Sequence, residues 1–445
     1  MFFYFTKGID RVDLAQYINN RYDGDFKKFV TGEVGSVSQQ NHIREIVNIK
    51  EYLGKNRHAI KQRPDEVFNG VTVKTERISL QYAKLIIKFS VNFLLGKPVS
   101  LSGSENVIDE LNKVYKKGKY RKVDYRILSD LERYGESFEY VFIQDNVIKS
   151  QVIDPAEAYP VYDENGEMIA FIQYFHVDYV DYYVVFTNDK VYKFNNSQGE
   201  DLRLVEEKIN LTGMPIHYRT ENEVDFTRGY AFINDIIDIL DGMESLLSKS
   251  FDGYYRHIMG TPVVIGQSLT NAELPKHGNG VGYRLDDDGD FKYVVNPFDH
   301  SAFKELYGTL RNALMDISQM PNVVLNGSTT ISNVGEVAIE SIFALAKIKA
   351  DMMSKYLTDG FEQRLERIRT LLAIQGIELD DTEFNSVSFV YNVSMPKSDE
   401  SIMNVIQKLR ELNAISIEGI QDNISFIDKV AEQERLAKEQ GKTKE

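Results

Sequence analysis

Seven histidines are the first place to look for chemistry in this chain, and their spacing removes most of it. His42, His58, His176, His217, His257, His277 and His300 include no pair at i,i+4, and HExxH does not occur, so the reading is that none is a metal ligand. There is no cysteine among the 445 residues, which excludes disulfides, thiolate nucleophiles and Cys-ligated metals. Neither a GxxxxGKS/T loop nor GxSxG is present. GNGVGY at 278–283 has the glycines of a phosphate loop but leads into a strand pattern, without the helix N-terminus that would bind the phosphate, and reads as a turn. In DDDGD, Asp286, Asp288 and Asp290 alternate as at the start of a calcium loop. The twelfth position is Pro297, where a glutamate would have to close the site, so this also reads as a charged turn. Carboxylates are plentiful enough to keep a magnesium-dependent nuclease open as an alternative, although none stands in a recognisable motif. The expectation is no catalytic residue, no metal and no cofactor.

Two other patterns stand out. Asp235, Asp238, Asp241 and Glu244 recur every three residues along a helical segment. One reading is a solvated acidic face; the other is a face turned toward something negative that must not stick. Further on, the polar, small-residue stretch PNVVLNGSTTISN at 321–333 leads straight into a very long helical pattern at 334–372. A pliable loop on a stiff rod suggests a moving part.

The elements that must carry these features are legible by period. Helical spacing covers 41–53, 80–95, 106–116 and 122–134, with an extended segment at 67–78; Gly96 and Gly135 end two of the helices. From 138 the period changes to two. Strands at 138–144, 147–153, 158–163, 167–175, 181–188 and 190–196 read as one antiparallel meander, followed by an irregular connection at 210–225. Thr227 is a candidate cap for a helix over 232–257. Short strands at 263–265, 280–285 and 291–295 follow. A helix at 301–320 then returns, with Phe303, Leu306, Leu310, Leu314 and Ile317 on one stripe. This is a strand-rich module at the end of two antiparallel struts. Gly335 and Gly360 are expected kinks in the long helix, since glycine weakens a helix interior by about 1 kcal/mol relative to alanine. A strand at 386–395 and a helical tail from 398 complete the chain.

Composition agrees with a multi-domain globular protein: 42% apolar and 27% charged residues, with a formal net charge of −15. The apolar start, MFFYF, is too short for a signal peptide, and no apolar run reaches the ~18 residues needed to span a bilayer, so a soluble protein is expected. The acidity argues against a tight, general DNA binder but not against a surface that lets DNA pass.

The ordered set YAKLIIKFSVNFLLGKPV (82–99), YGESFEYVFI (134–143), IDPAEAYPVYD (153–163), RGYAFINDIIDILDGMESLLSKSFDGYYRHIMGTPVVIG (228–266), FEQRLERI (361–368) and VSMPKSDESIMNVIQKL (393–409) resembles the portal proteins of tailed double-stranded DNA phages, in particular those of long-tailed phages of Gram-positive hosts. The resemblance implies an α+β, mainly helical fold with wing, stem, clip and crown. It divides the chain into a wing at 1–226, stem helices at 227–259 and 301–320, a clip at 260–300, a tunnel loop at 321–333, a long kinked helix with its return strand at 334–397, and a crown at 398–445. It also implies a ring, usually of twelve, at one capsid vertex of the virion, assembled in the host cytoplasm. Such a ring passes the genome in packaging and ejection. Its partners would be double-stranded DNA held without sequence preference, a terminase, a head-tail connector, and the major capsid and scaffold proteins.

On that reading Asn322, Val323, Val324, Leu325, Asn326, Gly327, Ser328, Thr329, Thr330, Ile331, Ser332 and Asn333 form the tunnel loop. Asn326, Ser328, Thr329, Thr330 and Ser332 would offer weak hydrogen bonds to the DNA backbone, while Val323, Val324 and Leu325 pack against a neighbouring loop. Asp235, Asp238, Asp241 and Glu244 would partly line the channel. Twelve copies at −15 each would carry about −180, a field that shortens any one DNA contact. The alternatives are the nuclease and a non-viral oligomeric adaptor.

Overall fold

A computed structural model describes residues 13–68, 71–197, 201–259, 261–265, 289–294, 299–321, 336–395, 406–412 and 414. The chain divides into two compact units. One comprises Met1–Met320 with Ile348–Val393; the other comprises Pro321–Lys347 with Ser394–Glu445.

The first unit opens with three helices, α1 (Leu14–Tyr22), α2 (Phe26–Val34) and α3 (Val37–Leu53). Asp25 caps α2, its carboxylate accepting from the amides of Lys27 and Lys28. A short hairpin, β1 (Glu66–Phe68) and β2 (Val71–Val73), precedes α4 (Tyr82–Leu95). Next come β3 (Ser100–Ser102), α5 (Glu105–Gly118) and α6 (Tyr120–Tyr134). Gly135 ends α6 in the left-handed region at φ +77°.

The strands then form two sheets where one meander was expected. β4 (Glu136–Gln144) and β5 (Val147–Ile153) pair with β11 (Ile216–Arg219) in the order β11-β4-β5. β6 (Ala158–Tyr162), β7 (Met168–Val177), β8 (Val180–Phe186), β9 (Lys190–Asn195) and β10 (Arg203–Ile209) form a second sheet, every neighbouring pair antiparallel. The break falls at Pro155–Glu157, a 3-10 turn that Asp154 caps by accepting from the amide of Ala156. Phe138 and Ile153 of the first sheet bury against Phe171 and Phe186 of the second. On the five-stranded sheet, Ile172, Val185 and Phe194 pack beneath Tyr17, Ile18, Phe29 and Val30 of α1 and α2.

A helical pair leaves this body. α7 (Asn234–Met259) runs into β12 (Thr261–Ile265), which pairs antiparallel with β13 (Asp290–Val294), and α8 (His300–Ser318) returns alongside α7. Then comes α9 (Glu336–Ile374), 39 residues long. Within the first unit its Met353, Leu357, Phe361, Leu365, Ile368 and Leu372 are buried at steps of three and four. α10 (Asp381–Phe384) leads to β14 (Ser388–Val390), which pairs with β3 and is shorter than the strand expected at 386–395. The described helical parts of the second unit are residues 336–347 of α9 and a stretch at 406–411.

α9 is fixed by a buried charge network. Arg364 has no exposed surface; its Nε donates to both Glu139 oxygens at 2.9 Å and an Nη to Asp124 at 2.6 Å. Its guanidinium also lies over the rings of Phe361 and Tyr120. Burial pushes the Asp124 carboxyl up to about 6 against the pull of Arg364. Gly360, expected as a kink, is continuous helix. Its physical reason is a close contact, because a Cβ there would lie 2.1 Å from the Tyr218 ring. Tyr218 in turn donates its hydroxyl to Glu139 at 2.5 Å.

A second network holds the start of β4. Glu136, fully buried, accepts from His42 at 2.5 Å and His217 at 3.3 Å, and His217 takes the Tyr162 hydroxyl on Nδ1 at 2.8 Å. Burial alone would raise the Glu136 carboxyl, but the bonds from His217 and His42 hold it well below the usual carboxylate range.

Candidate functional site

α7, with an extended segment packed beside it, carries the four acidic residues singled out by the sequence. α7 starts later than expected, and Thr227 does not cap it. Thr227 belongs to an earlier turn, where its amide and hydroxyl both donate to Asp225 at 2.8 and 2.7 Å.

The four acids do not form one face. Residues three apart on a 3.6-residue helix step back by about 60° each time, so Asp235 and Glu244, three steps apart, point in opposite directions. Asp235 and Asp238 are exposed, Asp241 is half-buried, and Glu244 is fully enclosed. Asp235 accepts the Tyr230 hydroxyl at 2.7 Å. The expected lining therefore loses Glu244. The sequence did hold a signal for this: Ile236, Leu240, Glu244 and Ser248 form a single i+4 row, and all four are buried.

That row has a function in the fold. Glu244 accepts the amide of Leu80 at 2.7 Å, Ser248 the amide of Ile78 at 3.0 Å, and Asp252 the amide of Glu76 at 2.9 Å. The match is geometric. Four residues of helix rise about 6 Å and two residues of extended chain about 6.6 Å, so every fourth side chain of α7 meets every second amide of the segment running the other way. Arg63 reinforces the end of this ladder with an ion pair to Asp252 at 2.5 Å.

At the other end His58 is buried, stacked on the Tyr52 ring at a centroid distance of 4.2 Å. Its Nδ1 faces the Glu244 oxygens at 2.8 and 3.0 Å, and its Nε2 meets the Tyr52 carbonyl at 3.0 Å. Burial raises both the Glu244 and the Asp241 carboxyls. Donor atoms of His58, Asp241 and Glu244 all lie within 4.8 Å of one another. Histidine spacing could not reveal this, since the two carboxylates are brought in from a helix far along the chain.

The outer surface of the pair keeps apolar side chains in solvent. Leu306 is 51% and Ile317 44% exposed, although the sequence pattern placed both on a buried stripe with Leu314, which is buried. Beyond them, the loop before α7 exposes Val224 and Phe226. Ile317, Met352, Met353, Phe232 and Tyr356 line a groove of about 590 Å³ between that loop, α8 and α9. Residues 322–333, the expected tunnel loop, lie outside the described residues, as do 266–288, with GNGVGY and most of DDDGD, and most of the tail from 398. Asp290, the last acid of DDDGD, stands in β13. Among the described residues no helix is long and apolar enough to cross a membrane.

A family model described as "Phage portal protein, SPP1 Gp6-like" matches residues 37–445. No curated protein matches the chain. Among solved structures, the chain is similar to the neck of an empty gene transfer agent (GTA) particle computed with C6 symmetry, at 10% identity and a TM-score of 0.45, over 75% of this chain and 86% of that one. It is also similar to a chain in the virion of a native GTA particle, at 12% identity and 0.43, over 75% and 85%. A third likeness is to the neck of a native GTA particle computed with C12 symmetry, at 11% identity and 0.43, over 76% and 87%.

Proposed function

This chain belongs to the SPP1 Gp6-like family of phage portal proteins, and from that membership we propose how its parts serve a ring at the portal vertex. A portal of this family is a structural component of the virion and the conduit for genome packaging and ejection. In our reading α7 and α8 are the stem, and the β12–β13 module within 260–300 is the clip. Residues 1–226 with 334–397 form the wing, 321–333 the tunnel loop and 398–445 the crown.

The observation that carries this reading is the incomplete surface of the helical pair. Leu306 and Ile317 sit on α8 where solvent would leave them wet, and a neighbouring copy in a ring covers them. Asp235 and Asp238, exposed on α7, face the channel, with Asp241 at the margin. Their negative charge keeps phosphates from settling, which a conduit needs more than affinity. The loop at 321–333 contains no Lys or Arg, so its hold on DNA is steric and weakly polar. The subunit number is twelve, the clip docks a terminase and later a connector, and the ring assembles in the host cytoplasm with major capsid and scaffold proteins.

The test uses packaging. The double variant D235K/D238K is expected to form rings yet stall DNA filling, and G327P to do the same by stiffening the loop. Normal filling with D235K/D238K would remove α7 from the channel wall.

A further inference from the structure

The cluster where α7 meets residues 52–81 has the anatomy of a cation site. His58 uses Nε2 to donate to the Tyr52 carbonyl at 3.0 Å, which turns Nδ1 toward the Glu244 carboxylate. Nδ1 lies 2.8 and 3.0 Å from the two Glu244 oxygens, an ion-pair distance that a proton spans when no metal is bound and that a metal ion would take over. A histidine that ligates a metal characteristically donates its other ring N–H to a carbonyl or carboxylate, as His58 does. Asp241 adds a third donor: all three ligand atoms fall within 4.8 Å of each other, and Asp241 Oδ1 is buried with no hydrogen-bond partner among the described residues.

Two further atoms around the cluster are buried without a partner, the Tyr52 hydroxyl, on a residue 4% exposed, and Gln81 Oε1. A route in exists as well. A cleft of about 430 Å³, lined by Tyr52, Ala59, Ile237 and Asp241 among others, opens beside the Asp241 carboxylate, with Arg57 at its edge.

We propose that His58 Nδ1, Asp241 and Glu244 bind one divalent cation of the zinc or manganese type, pinning residues 58–81 to α7. One imidazole with two carboxylates suits these ions better than magnesium or calcium, which prefer all-oxygen sites. An ion about 2.1 Å from each donor needs the donors roughly 3.4 Å apart, so His58 Nδ1 and Glu244 Oε2, 3.0 Å apart here, must open slightly while the Asp241 carboxylate turns in to complete the site. Glu244 keeps its bond to the Leu80 amide through Oε1 and offers Oε2. The pin lies at the end of the ladder formed by Glu244, Ser248 and Asp252, and would make its stiffness depend on the ion.

The experiment uses the full chain, dialysed against chelator and then titrated separately with ZnCl2, MnCl2, MgCl2 and CaCl2. Bound metal is read by elemental analysis after desalting, and free Mn²⁺ by electron paramagnetic resonance. The expected result is one equivalent per protomer, with affinity lowered about tenfold or more in both D241N and H58Q, and unchanged in D235N, whose acid lies on another face. Thermal unfolding should shift upward with metal in the wild type and not in D241N. If H58Q does not fold, D241N carries the test, since Asp241 is half-buried, its Oδ1 is unpartnered among the described residues, and the side-chain oxygen of Asn can keep the hydrogen bond from the Ala59 amide. Absence of stoichiometric metal in the wild type, equal binding by D241N, or preference for Mg²⁺ or Ca²⁺ over both ions would overturn the site and leave His58 and Glu244 sharing a proton.

Discussion

The β-rich body and the outer face of the helical pair treat their difficult side chains in opposite ways. In the body, charges buried by folding find partners inside the same protomer: Arg364 with Glu139 and Asp124, Glu136 with His42 and His217, and Lys349 with Glu132 at 2.9 Å. On the pair, apolar Leu306 and Ile317 and acidic Asp235 and Asp238 remain in solvent. In our reading, neighbouring copies complete the outer face of the pair.

Substitutions that break this contrast should rank by how much internal bonding they remove. The largest loss of protomer stability is expected for R364A, which strands two buried carboxylates and should cost about 3–5 kcal/mol, seen as a fall in the unfolding midpoint. G360A should cost about 1–3 kcal/mol, because its methyl meets the Tyr218 ring at 2.1 Å and α9 must move to admit it. Glu136 sets an acid limit. Its folded value lies below its ordinary 4.5, so its contribution is present above that pH and lost as pH falls through and below it. Unfolding curves from pH 7 to 3 should show this loss in the wild type and a shallower one in E136Q. On the helical pair, L306E should change protomer stability by less than about 0.5 kcal/mol yet abolish assembly, as judged by light scattering. D235N with D238N should alter neither, and act only on DNA passage.

The same contrast explains what the sequence made legible. Helices α3, α4 and α6 were readable because their apolar residues recur at helical spacing, and Gly135 closes α6 at a φ that other residues rarely adopt. The strands were readable by alternation, but alternation does not say which strand pairs with which, so two sheets looked like one meander. β10 escaped notice because RLVEEKI is exposed at every position and carries no buried face to alternate with. β11 has only four residues, and the identity of its partner β4 comes from far back in the chain. On α7 the acids were found by counting in threes, whereas the helix turns by 3.6. The ladder to the amides at 76–80 and the placing of Glu244 beside His58 are products of tertiary packing, and only the buried i+4 row hinted at them.

The most direct test is negative-stain imaging with mass measurement of the purified wild type beside the L306E/I317E variant. The account predicts rings with a central opening for the wild type and a folded 51.1 kDa protomer for the variant. A wild type that stays at 51.1 kDa at every concentration, or a variant that still closes into rings, would contradict it.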